Sequence, residues 1–312
     1  MKKWIQYSIF LIIGVVLAWY ASKDVDFGTI WSAFKKLHWG WAISSMFISY
    51  LSVIIRGLRW NIILEPLGYR ANPISAVHAV AFGYLMNDLV PRSGEIARCA
   101  ILSKSEQIPA NKLLGTVILE RIVDVMTLIL VICFVTFMKW EEISFFINHL
   151  NSSKGNNSEV ISFWILIFVL VSIAGALLFI WAVKKWRHLL VFAKIYTFIL
   201  GMWEGILSIT KIKHIGLFVL YTAGIWLCWM LTAYFLLIAL PETNNVTLID
   251  SLYIMVAGGL GMIVPTQGGL GSYHMASKWS FEALQRSGAI GLIYAWVSWV
   301  FKTIVELLTG TI

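Results

Sequence analysis

Nine ionisable residues lie within otherwise apolar stretches of the first half of the chain, where a charged side chain is costly unless it is paired. They are Arg56, Arg59, Asp88, Arg92, Glu95, Arg98, Glu120, Arg121 and Asp124. Five are positive and four are negative, which leaves one positive charge in excess. Because guanidinium groups bind phosphate oxygens through paired hydrogen bonds, this set predicts a site for a phosphate group.

The spacing of these charges is helical. Arg56 and Arg59 are three residues apart and Glu120 and Asp124 are four apart, so each pair shares one helix face. The alternative to a binding site is that the charges only pair with one another and fix the helices. For the carboxylates both interpretations are kept, whereas for the arginines we favour binding.

A short motif that breaks helices occurs twice, 174 residues apart. Val-Pro-Arg-Ser-Gly occupies residues 90–94, and Val-Pro-Thr-Gln-Gly occupies residues 264–268. Interrupted helices in a membrane are tolerated where they are buried in protein or line a cavity, and corresponding breaks in two halves indicate a transport site. The predicted hairpin tips are Pro91, Gly94, Pro265, Gly268 and Gly269.

Composition indicates an integral membrane protein. Of 312 residues 59% are hydrophobic and 13% are charged, and the mean hydropathy is +0.81. The net charge of +8 then fits cytoplasmic loops that face anionic lipid better than it fits nucleic-acid binding. The three cysteines are not clustered, which argues against a metal site. Apolar segments long enough to cross a bilayer occupy residues 5–21, 42–64, 116–138, 161–183, 215–240 and 288–309.

These patterns predict an all-α polytopic membrane protein with about six transmembrane helices and two re-entrant helical hairpins, related as an inverted repeat. Residues 73–103 would enter from the cytoplasm, residues 246–284 would enter from outside, and residues 192–209 would form an interfacial helix. The whole chain, 1–312, is expected to be a single integral membrane domain. Its parts are repeat one at about 41–138, a linking region at 139–214 and repeat two at about 215–312.

Three motifs resemble the signatures of the lysylphosphatidylglycerol synthase transmembrane (flippase-like) family, which includes the flippase half of the multiple peptide resistance factor. They are Pro-Arg-Ser-Gly-Glu-Ile-Ala-Arg at 91–98, Glu-Arg-Ile-Val-Asp at 120–124 and Pro-Thr-Gln-Gly-Gly-Leu-Gly at 265–271. The resemblance covers nearly the whole chain. The family pattern has Arg, Glu and Arg at the positions that match Arg92, Glu95 and Arg98 of this chain. The family often has an acidic residue where this chain has His274, which we expect to be a neutral, hydrogen-bonded histidine rather than a titrating one.

We therefore expect a transporter rather than an enzyme, one that moves a phospholipid-like or lipid-linked phosphate molecule between membrane leaflets. The alternatives are a membrane-embedded enzyme acting on a lipid phosphate, and a non-transporting partner of a lipid-modifying enzyme. The expected partner is a membrane lipid with an anionic or zwitterionic headgroup, and not a nucleic acid. No cofactor or metal is expected. Whether the protein forms a homo-oligomer or binds a lipid-modifying enzyme is left open.

The expected location is the cell (cytoplasmic or inner) membrane, with several spans and the N-terminus in the cytoplasm. Basic residues favour this orientation because they are enriched in cytoplasmic loops. They are dense at residues 2–3, 184–187 and 211–213.

Overall fold

The computed structural model describes residues 2–23, 25–144, 200 and 211–311 of the chain. Within these ranges the regular structure is helical and contains no strand. The α-helices are α1 (Lys2–Ser22), α2 (Phe27–Lys35), α3 (Trp39–Leu64), α4 (Pro73–Leu89), α5 (Gly94–Glu106), α6 (Ala110–Met138), α7 (Ile215–Ala239), α8 (Leu248–Gly261), α9 (Ser272–Ala283) and α10 (Gly288–Gly310).

Several of these helices have the character of membrane spans, as the sequence predicts. By length and composition, α3, α7 and α10 can each cross a membrane. The predicted spans at 5–21 and 116–138 coincide with α1 and α6, which are 21 and 29 residues long. The predicted span at 161–183 and almost all of the predicted interfacial helix at 192–209 lie outside the described residues. The total of six spans therefore stays a prediction.

Both proline motifs separate two helices that pack against each other. Residues 90–93 connect α4 to α5, and residues 262–271 connect α8 to α9. Pro91 and Pro265 lie in these loops, because proline cannot supply the backbone N–H that would continue the helix. Helical hairpins thus form at the two positions where the repeated motif predicts them.

The outer ends of the hairpins begin at defined caps. The side chain of Asn72 accepts a hydrogen bond from the N–H of Ile74 at 2.9 Å at the start of α4. At the start of α8, Thr247 and Asp250 exchange hydrogen bonds in a capping box. These local bonds satisfy N–H groups that have no partner within the helix, and they fix where each hairpin begins.

The two hairpin loops contact each other. Arg92 donates a hydrogen bond from Nη2 to the carbonyl oxygen of Ile263, and Gln267 donates from Nε2 to the carbonyl oxygen of Leu89 at 3.4 Å. The φ of Arg92 is 62°, in the left-handed region that non-glycine residues seldom occupy. The contacts around the loop must impose this conformation on Arg92.

Gly268 allows the second loop to approach the first hairpin. Its φ is 56°, and a Cβ at this position would lie 2.5 Å from Oδ1 of Asp88 in α4. A larger residue would therefore strain the backbone and also separate the loops.

The helices of predicted repeat one, at about 41–138 (the first unit), and of predicted repeat two, at about 215–312 (the second unit), contact each other in a reciprocal way. The corresponding helices α3 and α7 pack together. In the first unit, hairpin helix α4 packs against α10 of the second unit. In the second unit, the corresponding helix α8 packs against α6 of the first. Each unit therefore contacts the hairpin of the other.

An ion pair connects the end of α6 to the start of α8. Lys139 Nζ lies 2.8 Å from Oδ1 of Asp250 and 2.9 Å from Oε1 of Glu142. Burial lowers the pKa of Lys139, but its hydrogen bonds with Asp250 and Glu142 raise the pKa by more, so the net shift is upward. Lys139 consequently stays protonated at neutral pH and holds the two helix ends together.

The close approach of the arms of the first hairpin can be tested at Gly94. A Cβ there would overlap the carbonyl oxygen of Gly83 and would lie 2.7 Å from Cγ of Asn87. We expect Gly94→Ala to lower the thermal unfolding midpoint of the solubilised protein, because overpacking costs about 1–3 kcal/mol. Gly259→Ala is the matched control, since a Cβ at that position in α8 meets no atom within 4 Å. Equal midpoints for the two variants would contradict this packing.

Candidate functional site

Glu120 lies at the centre of a buried charge cluster formed by α3, α5 and α6. Its Oε1 accepts hydrogen bonds from Arg56 Nε at 2.6 Å and from Arg59 Nη2 at 3.0 Å. Its Oε2 accepts from Arg98 Nη2 at 3.0 Å. Glu120 and Arg59 have no exposed surface, and Arg56 and Arg98 are 3% exposed. One carboxylate thus bridges three guanidinium groups away from solvent.

Asp124 adds a second carboxylate one helical turn later on α6. It lies 3.2 Å from Arg56 Nη2 and 2.9 Å from Arg59 Nη1. Together with Glu120 it binds both arginines of α3. The spacing of four residues places the two carboxylates on one face of α6, as the sequence predicts.

Hydroxyl and aromatic groups complete the surroundings of the buried arginines. Arg56 donates from Nη1 to the Tyr84 hydroxyl at 2.6 Å, and Arg59 donates from Nη1 to Thr222 Oγ1 at 3.2 Å. The guanidinium of Arg98 lies over the ring of Trp60, 4.8 Å from the ring centre. A buried charge needs such additional partners, since desolvation costs several kcal/mol per ion.

One end of the cluster is open. Glu95 forms ion pairs with Arg98, at 2.7 Å between Oε2 and Nη2, and with Arg121. The side chain of Arg121 is 45% exposed and that of Glu95 is 30% exposed, in contrast to the buried arginines behind them. A cavity of about 20 Å³ adjoins this end, which is room for about one water molecule. It is lined by Arg56, Val80, Gly83, Tyr84, Asn87, Gly94, Glu95, Arg98 and Arg121.

The cluster carries an excess of positive charge. The guanidinium groups of Arg56, Arg59, Arg98 and Arg121 face the carboxylates of Glu95, Glu120 and Asp124. Four positive and three negative groups leave one positive charge. Since the exposed guanidinium is Arg121, the open end is where an anion could bind with least rearrangement.

The structure joins seven of the nine charges that the sequence singles out, and the other two lie apart. Arg92 is exposed and binds the second hairpin loop through the Ile263 carbonyl. Asp88 forms an ion pair with Lys302 of α10 at 2.9 Å. The expectation that all nine form one cluster is therefore wrong for Arg92 and Asp88. Arg92 and Glu95 are three residues apart, which predicts a shared helix face, but Arg92 has a left-handed backbone and lies outside α5.

Lys302 and Glu306 are missing from the set proposed on sequence alone. Both lie within α10, four residues apart, and they form an ion pair of 2.7 Å. A useful signal was present in the sequence, since both are ionisable residues inside an apolar segment. Tyr84 and Thr222 carry no comparable signal, because hydroxyl residues are common in membrane helices.

His274 lies in α9 and is completely buried. Its Nδ1 accepts a hydrogen bond from the N–H of Gly271 at 3.3 Å, which requires an unprotonated Nδ1. Its ring packs against Trp296 at 4.3 Å between ring centres. This arrangement agrees with a neutral, hydrogen-bonded histidine, and no described contact joins it to the charge cluster.

The hairpin tips predicted on sequence differ in their local roles. Gly94 is the first residue of α5, and its N–H donates to Asn87 Oδ1 at 2.8 Å. Gly268 and Gly269 both have positive φ values, 56° and 78°. These glycines shape the backbone around the cavity and the loop contact, and they offer no side chain to a ligand.

Comparisons with known proteins give one family and one partial relative. The family model described as "Lysylphosphatidylglycerol synthase TM region" matches residues 6–310. The UPF0104 membrane protein MJ1595 of Methanocaldococcus jannaschii is 33% identical over 87 residues, which are 27% of this chain. The match spans about a quarter, 26%, of the length of that relative. No solved structure matches the chain.

The dependence of the fold on Glu120 can be measured with a neutral substitution of similar shape. Glu120→Gln leaves three guanidinium groups without their common carboxylate, and breaking a buried ion pair in this way costs about 3–5 kcal/mol. We expect a clear fall in the thermal unfolding midpoint of the protein in detergent. Glu142→Gln is the control, because it removes one partly exposed ion pair with Lys139. A Glu120→Gln midpoint as high as that of the control would mean that the cluster does not hold α3, α5 and α6 together.

Proposed function

The chain belongs to the lysylphosphatidylglycerol synthase transmembrane-region family, and from this premise we propose that it is a lipid transporter. Its substrate is a phospholipid-like or lipid-linked phosphate molecule, which it moves between the two leaflets of the cell membrane. The observation that carries the proposal is the buried charge cluster with one positive charge in excess and one exposed guanidinium, Arg121. Because a charge inside a membrane protein is expensive to maintain, such a cluster favours a functional role.

The open end of the cluster suits a phosphate group. Arg121 and Arg98 both bind Glu95, whose oxygens stand where the oxygens of a phosphate would bind. A lipid phosphate that displaces Glu95 would meet the planar guanidinium of Arg121, with Arg56 and Arg98 behind it. Guanidinium groups bind phosphate through two parallel hydrogen bonds. Glu95 is thus proposed as an internal competitor that the substrate replaces.

The size of the cavity implies that the hairpins move. At about 20 Å³ it is too small for a lipid headgroup, so the first hairpin must separate from its neighbours when the substrate enters. The contacts between the two loops, through Arg92 and Gln267, would then open. In this scheme the headgroup passes between the hairpins while the acyl chains remain in the lipid.

We further propose that the two units form an inverted repeat, with both hairpins re-entrant and the N-terminus in the cytoplasm. The reciprocal packing of α4 on α10 and of α8 on α6 supports two related halves. Inverted halves allow a transporter to open alternately to each side around one site. The membrane lipid is the proposed partner, and the breaks at Pro91 and Pro265 would lie near the middle of the bilayer.

The role of Arg121 can be tested by Arg121→Lys in a lipid-flipping assay with labelled phospholipids in liposomes. Lysine keeps the charge but cannot form two parallel hydrogen bonds, so we expect flipping to slow about tenfold or more, the equivalent of one lost charged hydrogen bond. Arg286→Lys is the matched control, since Arg286 is also a partly exposed arginine and binds Asn245 and Asp250.

Flipping rates that are equal in Arg121→Lys, Arg286→Lys and wild type, at equal protein content, would show that Arg121 does not bind the phosphate. Hydrolysis of a lipid phosphate by the wild-type protein in detergent would instead favour the membrane-enzyme alternative. Wild-type protein that neither flips nor hydrolyses any lipid in the panel would argue against both functions.

A further inference from the structure

A second buried charge cluster lies between the two repeat units. It consists of Asp88 in α4 of the first unit and of Lys302 and Glu306 in α10 of the second. Lys302 Nζ lies 2.9 Å from Asp88 Oδ1 and 2.7 Å from Glu306 Oε2. The side chains of Asp88 and Glu306 are only 12% and 10% exposed. The three groups therefore interact at short range and largely away from solvent.

The charges of this triad do not balance. Two carboxylates face one ammonium group, which leaves one negative charge in a buried place. One ammonium group contacts an oxygen of each carboxyl group, so the two carboxyl groups lie close together. Oδ2 of Asp88 is buried and has no hydrogen-bond donor among the described residues. One proton bound between the carboxyl groups would neutralise the triad and supply the missing donor.

A metal cation fits the triad less well than a proton does. The ammonium group of Lys302 already occupies the position between the two carboxylates, at hydrogen-bonding distance from both. A sodium or calcium ion would need several oxygen ligands and would be repelled by this group. A proton does not need several oxygen ligands, since it binds to one carboxylate oxygen and is shared with the other carboxylate.

The triad lies where the two hairpin loops meet. A Cβ at Gly268 of the second loop would come within 2.5 Å of Asp88 Oδ1, and the Gly268 carbonyl oxygen accepts a hydrogen bond from Trp299 Nε1 of α10 at 3.0 Å. Separation of the first hairpin from the second unit would take Asp88 away from Lys302 and Glu306. The ionic state of the triad is therefore linked to the contact between the hairpins.

Other titratable groups near the triad come from α9. Tyr273 packs beside α10 and donates to Ser298 Oγ at 2.9 Å, and His274 packs against Trp296 and Trp299. The tyrosine hydroxyl is neutral at physiological pH, and the neutral histidine accepts a backbone N–H. Lys302 is the charged group that forms ion pairs with both Asp88 and Glu306.

We propose that Asp88 and Glu306 bind one exchangeable proton between them, and that this proton is bound while the two hairpin loops are in contact and released when they separate. Binding converts one carboxylate into a carboxylic acid and changes the charge of the triad from −1 to zero. The site follows from the geometry of the triad and does not depend on which molecule the protein moves. Coupling of lipid movement to the proton is a consequence that rests on the proposed function.

Infrared difference spectroscopy tests the proton site without any transport assay. Wild-type protein with ¹³C-labelled glutamate should show a carboxylic acid band that disappears as the pH is raised from about 5 to about 10. This range lies above the pKa of ordinary carboxylates and below the pKa of lysine. The band should be absent or shifted in Glu306→Gln and shifted in Asp88→Asn. Glu142→Gln is the control, because that carboxylate also binds a lysine but lies outside the triad.

Two results would overturn the proton site. One is a wild-type spectrum without a titrating carboxylic acid band, or with a band that Glu306→Gln and Asp88→Asn both leave unchanged. The other is removal of the band by sodium ions at constant pH, which would identify a cation site instead. The presence and the titration of the band are measured on wild-type protein alone. The first test therefore stands even if Glu306→Gln folds poorly.

A liposome assay then separates the proton site from lipid transport. If one proton moves with each lipid, a gradient of about one pH unit should bias the distribution of labelled lipid between leaflets by up to about tenfold. Glu306→Gln should still flip lipid but lose this bias. Flipping by wild type that ignores the gradient would contradict the coupling, whereas absence of flipping beside a normal infrared band would reject the proposed function alone.

Discussion

The structure depends on the need to neutralise charges inside an apolar helix bundle. Glu120 binds Arg56, Arg59 and Arg98 at distances of 2.6 to 3.0 Å, and none of these groups has an alternative partner in solvent. The ion pairs therefore constrain α3, α5 and α6 to one arrangement. Burial of an ion pair contributes little net stability compared with apolar packing, so stability alone does not explain a cluster of this size.

The two repeat units share a helix plan but differ in chemistry. The offset of 174 residues relates Glu120 to Tyr294 and Asp124 to Ser298. In the second unit the corresponding polar contact is a neutral hydrogen bond from the Tyr273 hydroxyl to Ser298 Oγ at 2.9 Å. The arginine cluster therefore belongs to the first unit, whereas the second unit supplies the loop that contacts the first hairpin loop and the lysine that pairs with Asp88. In the transporter that we propose, this asymmetry would provide one binding site between two halves that move against each other.

Much of this arrangement could be predicted from residue spacing, and the remainder depends on packing. The breaks at Pro91 and Pro265 and the shared face of Glu120 and Asp124 are local properties, so the sequence indicates them directly. The partner of Asp88 is 214 residues away, and only the packing of α4 on α10 brings Lys302 to it. For Arg92 a prediction from local spacing is wrong. Its spacing from Glu95 suggests a shared helix, but its left-handed backbone places it before α5.

Cross-linking of a lipid headgroup to the protein would show directly whether a phosphate group binds at the arginine cluster. A phospholipid that carries a photoreactive group beside its phosphate can be irradiated with the protein in liposomes, and the modified peptides can be identified by mass spectrometry. We expect adducts on the residues around the open end of the cluster, among them Tyr84 and Asn87, and competition by unlabelled phospholipid but not by diacylglycerol. Adducts confined to lipid-facing surfaces, or equal competition by diacylglycerol, would contradict a phosphate site at the arginine cluster.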